Sequence, residues 1–195
     1  LAQEYAGKLR VGRLDVDALR ERVADIEQKL RKSIHDLLES QGVRLLHGTG
    51  RLVGPKEITA ETEAGLVEVE ADIVLLATGS RPRIPEWTAP DGERILTTRQ
   101  AYPPPEIPTH LCVIGSGVTG VEFTHMFSAL GSEVSLVVSR QQVLPLKDPE
   151  VAAVLEDEFL TRGVHLLKGA RADGIERTEG GVHITCNDGR SVSAS

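Results

Sequence analysis

Apolar residues near the start of the chain recur at steps of three and four and form one stripe on a predicted helix. The stripe consists of Val16, Leu19, Val23, Ile26, Leu30, Ile34 and Leu37. This spacing is typical of a helix with one apolar face, and Asp15 and Gly42 are placed to cap its start and its end. We expect a scaffold helix packed on a sheet. A coiled-coil partner helix is the alternative, because the stripe covers about three heptads.

After Gly42 the pattern changes to short apolar segments, which predict strands. The predicted strands cover residues 43–46, 58–60, 66–69 and 73–77. The last of these is continuously apolar and ends in small residues, so we expect a fully buried strand. Residues 99–110 contain four prolines, which cannot join a strand ladder or continue a helix, and we interpret this segment as a linker between domains.

Strand and helix patterns alternate in the later part of the chain. We predict a strand from residue 110, a glycine turn, a helix over 121–130 and a strand over 133–138. A further helix is predicted over 149–162. Its expected inner face consists of Val151, Val154, Leu155, Phe159 and Leu160. This order predicts an α/β fold with a Rossmann-like parallel sheet.

Part of the sequence is repeated. Gly-Val-Arg-Leu-Leu-His-Gly at 42–48 recurs as Gly-Val-His-Leu-Leu-Lys-Gly at 163–169, each after a predicted amphipathic helix and before short strands. Val-Glu-Ala-Asp at 69–72 likewise matches Val-Ser-Ala-Ser at 192–195. We expect an interior piece of a longer protein with two similar α/β domains. A coincidence is the alternative, because Gly-Val-x-Leu-Leu is a common combination.

Composition and charge exclude several classes of function. The chain has 195 residues, 40% of them apolar, with a formal net charge of −7, which fits one large or two small globular domains. We expect no membrane-spanning helix, because no apolar run exceeds that of residues 73–77. We expect no nucleic-acid partner, because there is no dense basic block. The histidines show no metal-ligand spacing.

The cysteines and the start of the chain bear on its location. Cys112 and Cys186 lie in different predicted strands, far apart in sequence, and form neither a disulfide framework nor a metal spacing. No charged and then apolar leader follows Leu1. We therefore expect a cytoplasmic location.

The strongest chemical signal is the sequence G-x-G-x-x-G directly after an apolar strand. Its residues are Gly115, Ser116, Gly117, Val118, Thr119 and Gly120. Gly115 permits the tight turn, Gly117 lets the backbone approach a pyrophosphate, and Gly120 lets the helix lie close to the strand. The free N–H groups and the dipole of the helix start would then hold the phosphates of a dinucleotide. The alternative is a purely structural glycine turn.

Residues after the second strand bear on the choice between NAD and NADP. An acidic residue there accepts a ribose hydroxyl of NAD, whereas an arginine meets the 2′-phosphate of NADP. This chain has Ser139 and Arg140 and no acid at the strand end, which favours NADPH or dual use. Arg140 could instead be an ordinary exposed loop residue. Glu122 either benefits from the helix dipole or points towards the nicotinamide.

Taken together, these motifs resemble those of the flavin-dependent pyridine nucleotide disulfide oxidoreductases. The resemblance rests on Ala-Thr-Gly-Ser-Arg-Pro at 77–82, on the glycine motif followed by Glu122, and on Val-Leu-Pro at 143–145. Residues 91–97 and 115–120 look most like the dihydrolipoamide dehydrogenase-like quinone reductases, which lack the redox disulfide. The family also includes glutathione reductase and soluble pyridine nucleotide transhydrogenase.

The resemblance implies an FAD-binding domain interrupted by an NAD(P)-binding domain of similar fold. Residues 1–105 would be the later part of the FAD domain with the linker, and 106–195 an incomplete NAD(P) domain. The FAD-binding residues would be Ala77, Thr78 and Gly79, with Gly50 near the adenine. Ala172 would play the corresponding part for NAD(P), and Glu122 would lie near the nicotinamide and flavin rings.

The resemblance further implies hydride transfer from NAD(P)H to FAD and on to a quinone, a dithiol or disulfide, or a nicotinamide acceptor. The family's first FAD motif, its redox cysteine pair and its C-terminal acid/base are not among these residues. We therefore expect the fragment alone to be inactive, and a homodimer only in the full-length protein. The rival hypothesis is a non-catalytic NAD(P)-binding or structural module whose long helix docks a partner.

Overall fold

The structure is a computed structural model that describes residues 15–195. Residues 1–14, which belong to the predicted 1–105 segment, lie outside the described residues. The helices are α1 (Val16–Ser40), α2 (Val118–Ala129) and α3 (Pro149–Thr161). The strands are β1 (Gly48–Leu52), β2 (Glu57–Thr62), β3 (Gly65–Glu70), β4 (His110–Ile114), β5 (Glu133–Val138), β6 (His165–Lys168), β7 (Ala172–Thr178), β8 (Gly181–Cys186) and β9 (Ser191–Ala194).

The chain divides into two compact units. One is Glu21–Arg81, and the other contains Pro82–Ser195 together with residues 15–20. A boundary between compact units does not identify what each unit binds. The predicted division near residue 105 into FAD and NAD(P) parts therefore stays a prediction.

The long predicted helix is confirmed as α1, with both of its predicted end signals. The Asp15 carboxylate accepts a hydrogen bond from the Ala18 N–H at 3.0 Å, and Gly42 follows the helix with a positive φ of 72°. The predicted packing on a sheet is wrong, because no residue of α1 is buried. Leu30 and Leu37 are 58% and 59% exposed, since no element among the described residues covers that face.

Strands β1, β2 and β3 form an antiparallel sheet in the first unit, so two of the predicted strands are confirmed. Residues 43–46 form no strand, and neither do residues 73–77. Ile73 and Leu75 are 88% and 87% exposed, which contradicts the predicted buried strand. A buried strand needs a hydrogen-bonded neighbour and apolar cover, and the described residues provide neither for this segment.

A parallel sheet of order β4-β5-β6 lies at the centre of the second unit. Side chains of the middle strand, β5, alternate between two apolar cores, as the two-residue period of a strand requires. Val134, Leu136 and Val138 pack with residues of α2 and α3, whereas Val137 packs with residues of β7 and β8. This arrangement confirms the Rossmann-like α/β fold.

A second antiparallel sheet, β7-β8-β9, covers the other face of the parallel sheet. It has the same strand order and directions as β1-β2-β3, as the repeated sequence predicts. The first copy of the repeated segment has no strand at 43–47, whereas the second contains β6. The repeat is therefore clearest in the two antiparallel sheets.

The inner face of α3 differs from the predicted one. Its buried residues are Ala152, Glu156 and Phe159, whereas Val151 and Val154 are 59% and 71% exposed. The buried set also follows helical spacing but includes a small residue and an acid. Apolar character alone therefore predicted the wrong face for part of this helix.

Candidate functional site

The glycine turn follows β4 directly and has an unusual backbone conformation at its first residue. Gly115 has a φ of 107°, a conformation that residues with a side chain rarely adopt. Its N–H donates to the carbonyl of Val137 on β5 at 3.1 Å. This bond ties the turn to the carboxyl end of the parallel sheet, where ligands of open α/β sheets bind.

Gly120 allows the first turn of α2 to lie against the strand end. A Cβ placed on Gly120 would overlap the carbonyl oxygen of Gly115. The hydroxyl of Thr124, which is fully buried, donates to the Gly120 carbonyl at 2.8 Å. The third glycine of the motif therefore has the predicted role of close packing between helix and strand.

Gly117 is the N-cap of α2 and leaves the helix start open. Its φ of −69° is ordinary, and no atom lies within 4 Å of a Cβ built there. No side chain among the described residues caps this helix start. Val118 and Thr119 are exposed, whereas Ser116 is buried. Uncapped N–H groups beside open space fit an anionic pyrophosphate, because the positive end of the helix dipole lies there.

An apolar cavity of about 430 Å³ opens beside the glycine turn within the second unit. Its lining includes Gly115, Gly117 and Gly120, and it continues along β4 towards Phe123 and Phe127. This volume is in the usual range for ligand pockets. At its glycine end the cavity meets the uncapped start of α2, whose backbone N–H groups suit a phosphate.

The loop after β5, residues 139–148, lies next to this turn. The N–H of Leu144 donates to the carbonyl of Ser116 at 2.7 Å, and the carbonyl of Arg140 accepts from the N–H of Gly169 at 3.0 Å. Ser139 and Arg140 are both exposed. The structure thus brings the predicted specificity residues and the glycine turn to the same edge of the parallel sheet.

A buried carboxylate, Glu156, supports this loop and was missed by the sequence analysis. One of its oxygens accepts from the N–H of Val143 at 2.8 Å, and the other accepts from Lys168 Nζ at 2.6 Å. Its helical spacing from Ala152 and Phe159 was the available signal, because those neighbours lie on the same face of α3.

The remaining predicted residues of the second unit have different surroundings. Glu122 is exposed on α2, and Ala172 is buried at the start of β7. Their predicted roles towards the nucleotide stay predictions.

The two cysteines are close together in the fold, although they lie far apart in the sequence. Cys112 on β4 and Cys186 on β8 belong to the same apolar cluster, and both are free thiols. Burial, with a smaller contribution from the nearby Cys186, raises the pKa of Cys112 to about 12. Cys112 is therefore a protonated packing residue at neutral pH.

The predicted FAD-binding residues all lie in the Glu21–Arg81 unit. Gly50 is exposed on β1 opposite Ala60. Ala77, Thr78 and Gly79 are also exposed, and Gly79 has a positive φ of 71°. All four residues are accessible to a ligand, and their approach to FAD stays a prediction.

One histidine has neighbours suited to a metal ion, contrary to the sequence-based expectation. His35, Asp36 and Glu39 place ligand atoms within 4.8 Å of one another on α1. Asp36 already pairs with Lys32 at 2.7 Å on this solvated helix, and we assign no metal to the group.

Among residues 15–195, every helix is too short or too polar to cross a bilayer.

The chain is similar to known proteins in sequence and in fold. A family model described as pyridine nucleotide-disulphide oxidoreductase matches residues 3–195. An NAD(P)H dehydrogenase (quinone) of Mycobacterium tuberculosis is 46% identical over 165 residues, which cover 81% of this chain and 34% of the relative. A dihydrolipoyl dehydrogenase of Zymomonas mobilis is 33% identical over 86% of this chain and 36% of its own length.

A solved structure shows the same fold. The crystal structure of LpdA from Mycobacterium tuberculosis matches with a TM-score of 0.86 and 41% identity, over 99% of this chain and 44% of that chain. The chain therefore spans roughly a third of the length of the curated relatives that it matches, and under half of this solved chain.

Proposed function

Because this chain belongs to the pyridine nucleotide-disulphide oxidoreductase family, we propose that its second unit binds the pyrophosphate of NAD(P)H in a flavin-dependent oxidoreductase. The observation that carries the proposal is the glycine turn. Gly115 adopts the required positive φ, Gly117 leaves the start of α2 uncapped, and Gly120 packs on the strand end. In this proposal the N–H groups of Val118 and Thr119 hold the phosphate charge.

We further propose a preference for NADPH, or use of both nucleotides. The loop at the end of β5 presents exposed Ser139 and Arg140 with no acidic residue between 139 and 142. A guanidinium group matches the geometry of a phosphate, whereas no carboxylate is present there to accept a ribose hydroxyl. Glu122 would face the nicotinamide end of the nucleotide, and Ala172 would contribute backbone near its adenine.

For the whole protein we propose electron transfer from NAD(P)H through FAD to a quinone. Bound flavin supplies hydride acceptance and onward electron transfer, and Gly50, Ala77, Thr78 and Gly79 are the residues of this chain proposed to contact it. The quinone is favoured over a disulfide because the 46% identical relative is named NAD(P)H dehydrogenase (quinone). We also propose that the full-length protein is a homodimer. We propose a cytoplasmic location, because both cysteines are free thiols and disulfides are rare in the cytosol.

Nucleotide titration of the chain tests the binding site. We expect NADPH to bind the wild type, and Arg140→Glu to weaken NADPH about tenfold or more while changing NADH about twofold or less, because one charged contact is lost. Arg44→Glu, at an exposed arginine of the other unit, is the matched charge control. Absence of nucleotide binding to the wild type would refute the proposal. Equal losses for both nucleotides would remove Arg140 from the site.

The flavin half is tested on the longer protein. Visible flavin absorption after purification, with NADPH-dependent reduction of a quinone dye, is the expected result. A longer protein that binds NADPH and no flavin would favour the non-catalytic binding module instead.

A further inference from the structure

The interior acid of α3 joins three elements at one point. Glu156 is 8% exposed, and both of its carboxylate oxygens are used. They accept from the backbone of Val143 in the loop of residues 139–148 and from Lys168 at the end of β6. In the ion pair of Glu156 with Lys168, the lysine side chain is 41% exposed and the glutamate side chain 11% exposed.

A buried acid at this position needs an explanation beyond stability. Removal of a carboxylate from water is costly, and a well-packed apolar side chain at such a site is often as stable as an ion pair. Ala152 and Phe159 on the same helix face show that apolar residues fit this interface. An apolar replacement of Glu156, however, could not accept the N–H of Val143. The acid therefore has a specific effect on the loop.

The loop transmits that contact to the nucleotide site. Val143 is fully buried, and the next residue, Leu144, has a positive φ of 47° and donates to the carbonyl of Ser116. A positive φ is unfavourable for leucine and persists only where the surroundings fix it. At the start of the loop, the carbonyl of Arg140 accepts a hydrogen bond from the N–H of Gly169, the residue after Lys168.

We propose that Glu156, paired with Lys168, is a positioning residue that fixes the loop so that Ser139 and Arg140 meet the adenosine end of NADPH. The proposal rests on the proposed function, because it assigns a specificity role within the same nucleotide site. Glu156 touches no part of the nucleotide in this proposal and acts only through Val143 and the end of β6.

Four variants of the chain separate loop positioning from general stability. Glu156→Gln keeps an oxygen that can accept the Val143 N–H, whereas Glu156→Leu removes it. Lys168→Met removes the cation, and the double variant Glu156→Leu/Lys168→Met leaves no unpaired charge. The control is Glu158→Leu on the same helix, because Glu158 forms an exposed pair with Arg162 at 2.7 Å.

The measurements are NADPH and NADH affinity and the urea midpoint of unfolding. We expect Glu156→Leu to weaken NADPH about tenfold and to reduce its advantage over NADH, because one charged hydrogen bond to the loop is lost. Glu156→Gln should stay within about threefold of the wild type. The double variant should recover much of the urea midpoint but not the NADPH affinity, a split that a merely structural role would not produce.

Two results would overturn the proposal. One is a ratio of NADPH to NADH affinity that stays at the wild-type value in Glu156→Leu and in the double variant. The other is a double variant that recovers stability and NADPH affinity together. Failure of the wild type to bind either nucleotide refutes the proposed function instead, so the two failures are distinguishable.

Discussion

Alanine substitutions at two glycines of the same turn should affect different properties, nucleotide binding at Gly117 and stability at Gly120. At Gly117, φ is −69° and a Cβ meets no atom within 4 Å. Alanine is a poorer N-cap than glycine by roughly 0.5–1 kcal/mol, and the reduced entropy of the unfolded chain offsets about 0.4–1 kcal/mol. We therefore expect Gly117→Ala to change the free energy of unfolding by less than about 1 kcal/mol.

At Gly120 the added Cβ would overlap the backbone oxygen of Gly115. Overpacking against groups that cannot move aside costs about 3 kcal/mol, and the higher helix propensity of alanine offsets about 1 kcal/mol. Gly120→Ala should therefore lower the free energy of unfolding by about 2 kcal/mol. Urea unfolding followed by circular dichroism measures both variants.

Gly117→Ala should weaken nucleotide binding although it leaves stability nearly unchanged. The Cβ of Gly117→Ala enters the open space where the pyrophosphate is proposed to lie, so NADPH affinity should fall at least about tenfold in a stably folded chain. Titration of NADPH into the preparations used for unfolding is the assay. Wild-type affinity in Gly117→Ala would refute the phosphate placement, and wild-type stability in Gly120→Ala would refute the close packing.

Three other predictions concern different parts of the chain. The hydrogen bond from the backbone of Ile95, with smaller contributions that include Arg177, lowers the pKa of Asp91. The ionised Asp91 carboxylate therefore stabilises the fold above the unfolded pKa of about 3.9, and this stabilisation is lost as pH falls through the folded pKa. Asp91→Asn should lower the melting temperature near neutral pH and progressively less below about pH 4. A loss of melting temperature that does not depend on pH would contradict this. Cys112, with a pKa raised to about 12 by burial, should react slowly with iodoacetamide in the native chain at about pH 8, as followed by mass spectrometry, and rapid alkylation would contradict its burial. Leu75 is 87% exposed in an apolar run, so we expect this chain to self-associate at high concentration in light scattering and Leu75→Lys to reduce that association; unchanged association would exclude this surface.

Sequence patterns predicted the elements whose signals are local. The strand before Gly115, the helix after it and β5 are all present, because Gly115 and Gly120 meet backbone requirements inside the turn itself. The end signals of α1 were also correct, since Asp15 and Gly42 act on the adjacent helical turns. Such features need no knowledge of distant residues.

Features that depend on distant residues could not be predicted in the same way. Residues 73–77 have the composition of a buried strand, but burial requires a partner that composition does not supply. Helical spacing places Glu156 on the face of Ala152 and Phe159, but it does not predict the partners Val143 and Lys168, which come from a loop and another strand. The proximity of Cys112 and Cys186 likewise arises only when β4 and β8 pack in one cluster.

The sheets of the second unit differ in how far apart their paired strands lie along the chain. In the antiparallel sheet, β8 pairs with β7 and β9 pairs with β8, each directly after it in the chain. In the parallel sheet, β4 and β5 are joined through α2, and β5 and β6 through α3. Closing a short loop loses less chain entropy than closing a long one. Amide protection in a pulse-labelled refolding experiment should therefore develop in the β7-β8-β9 ribbon before it develops across β4, β5 and β6, so the nucleotide turn would be completed late in folding.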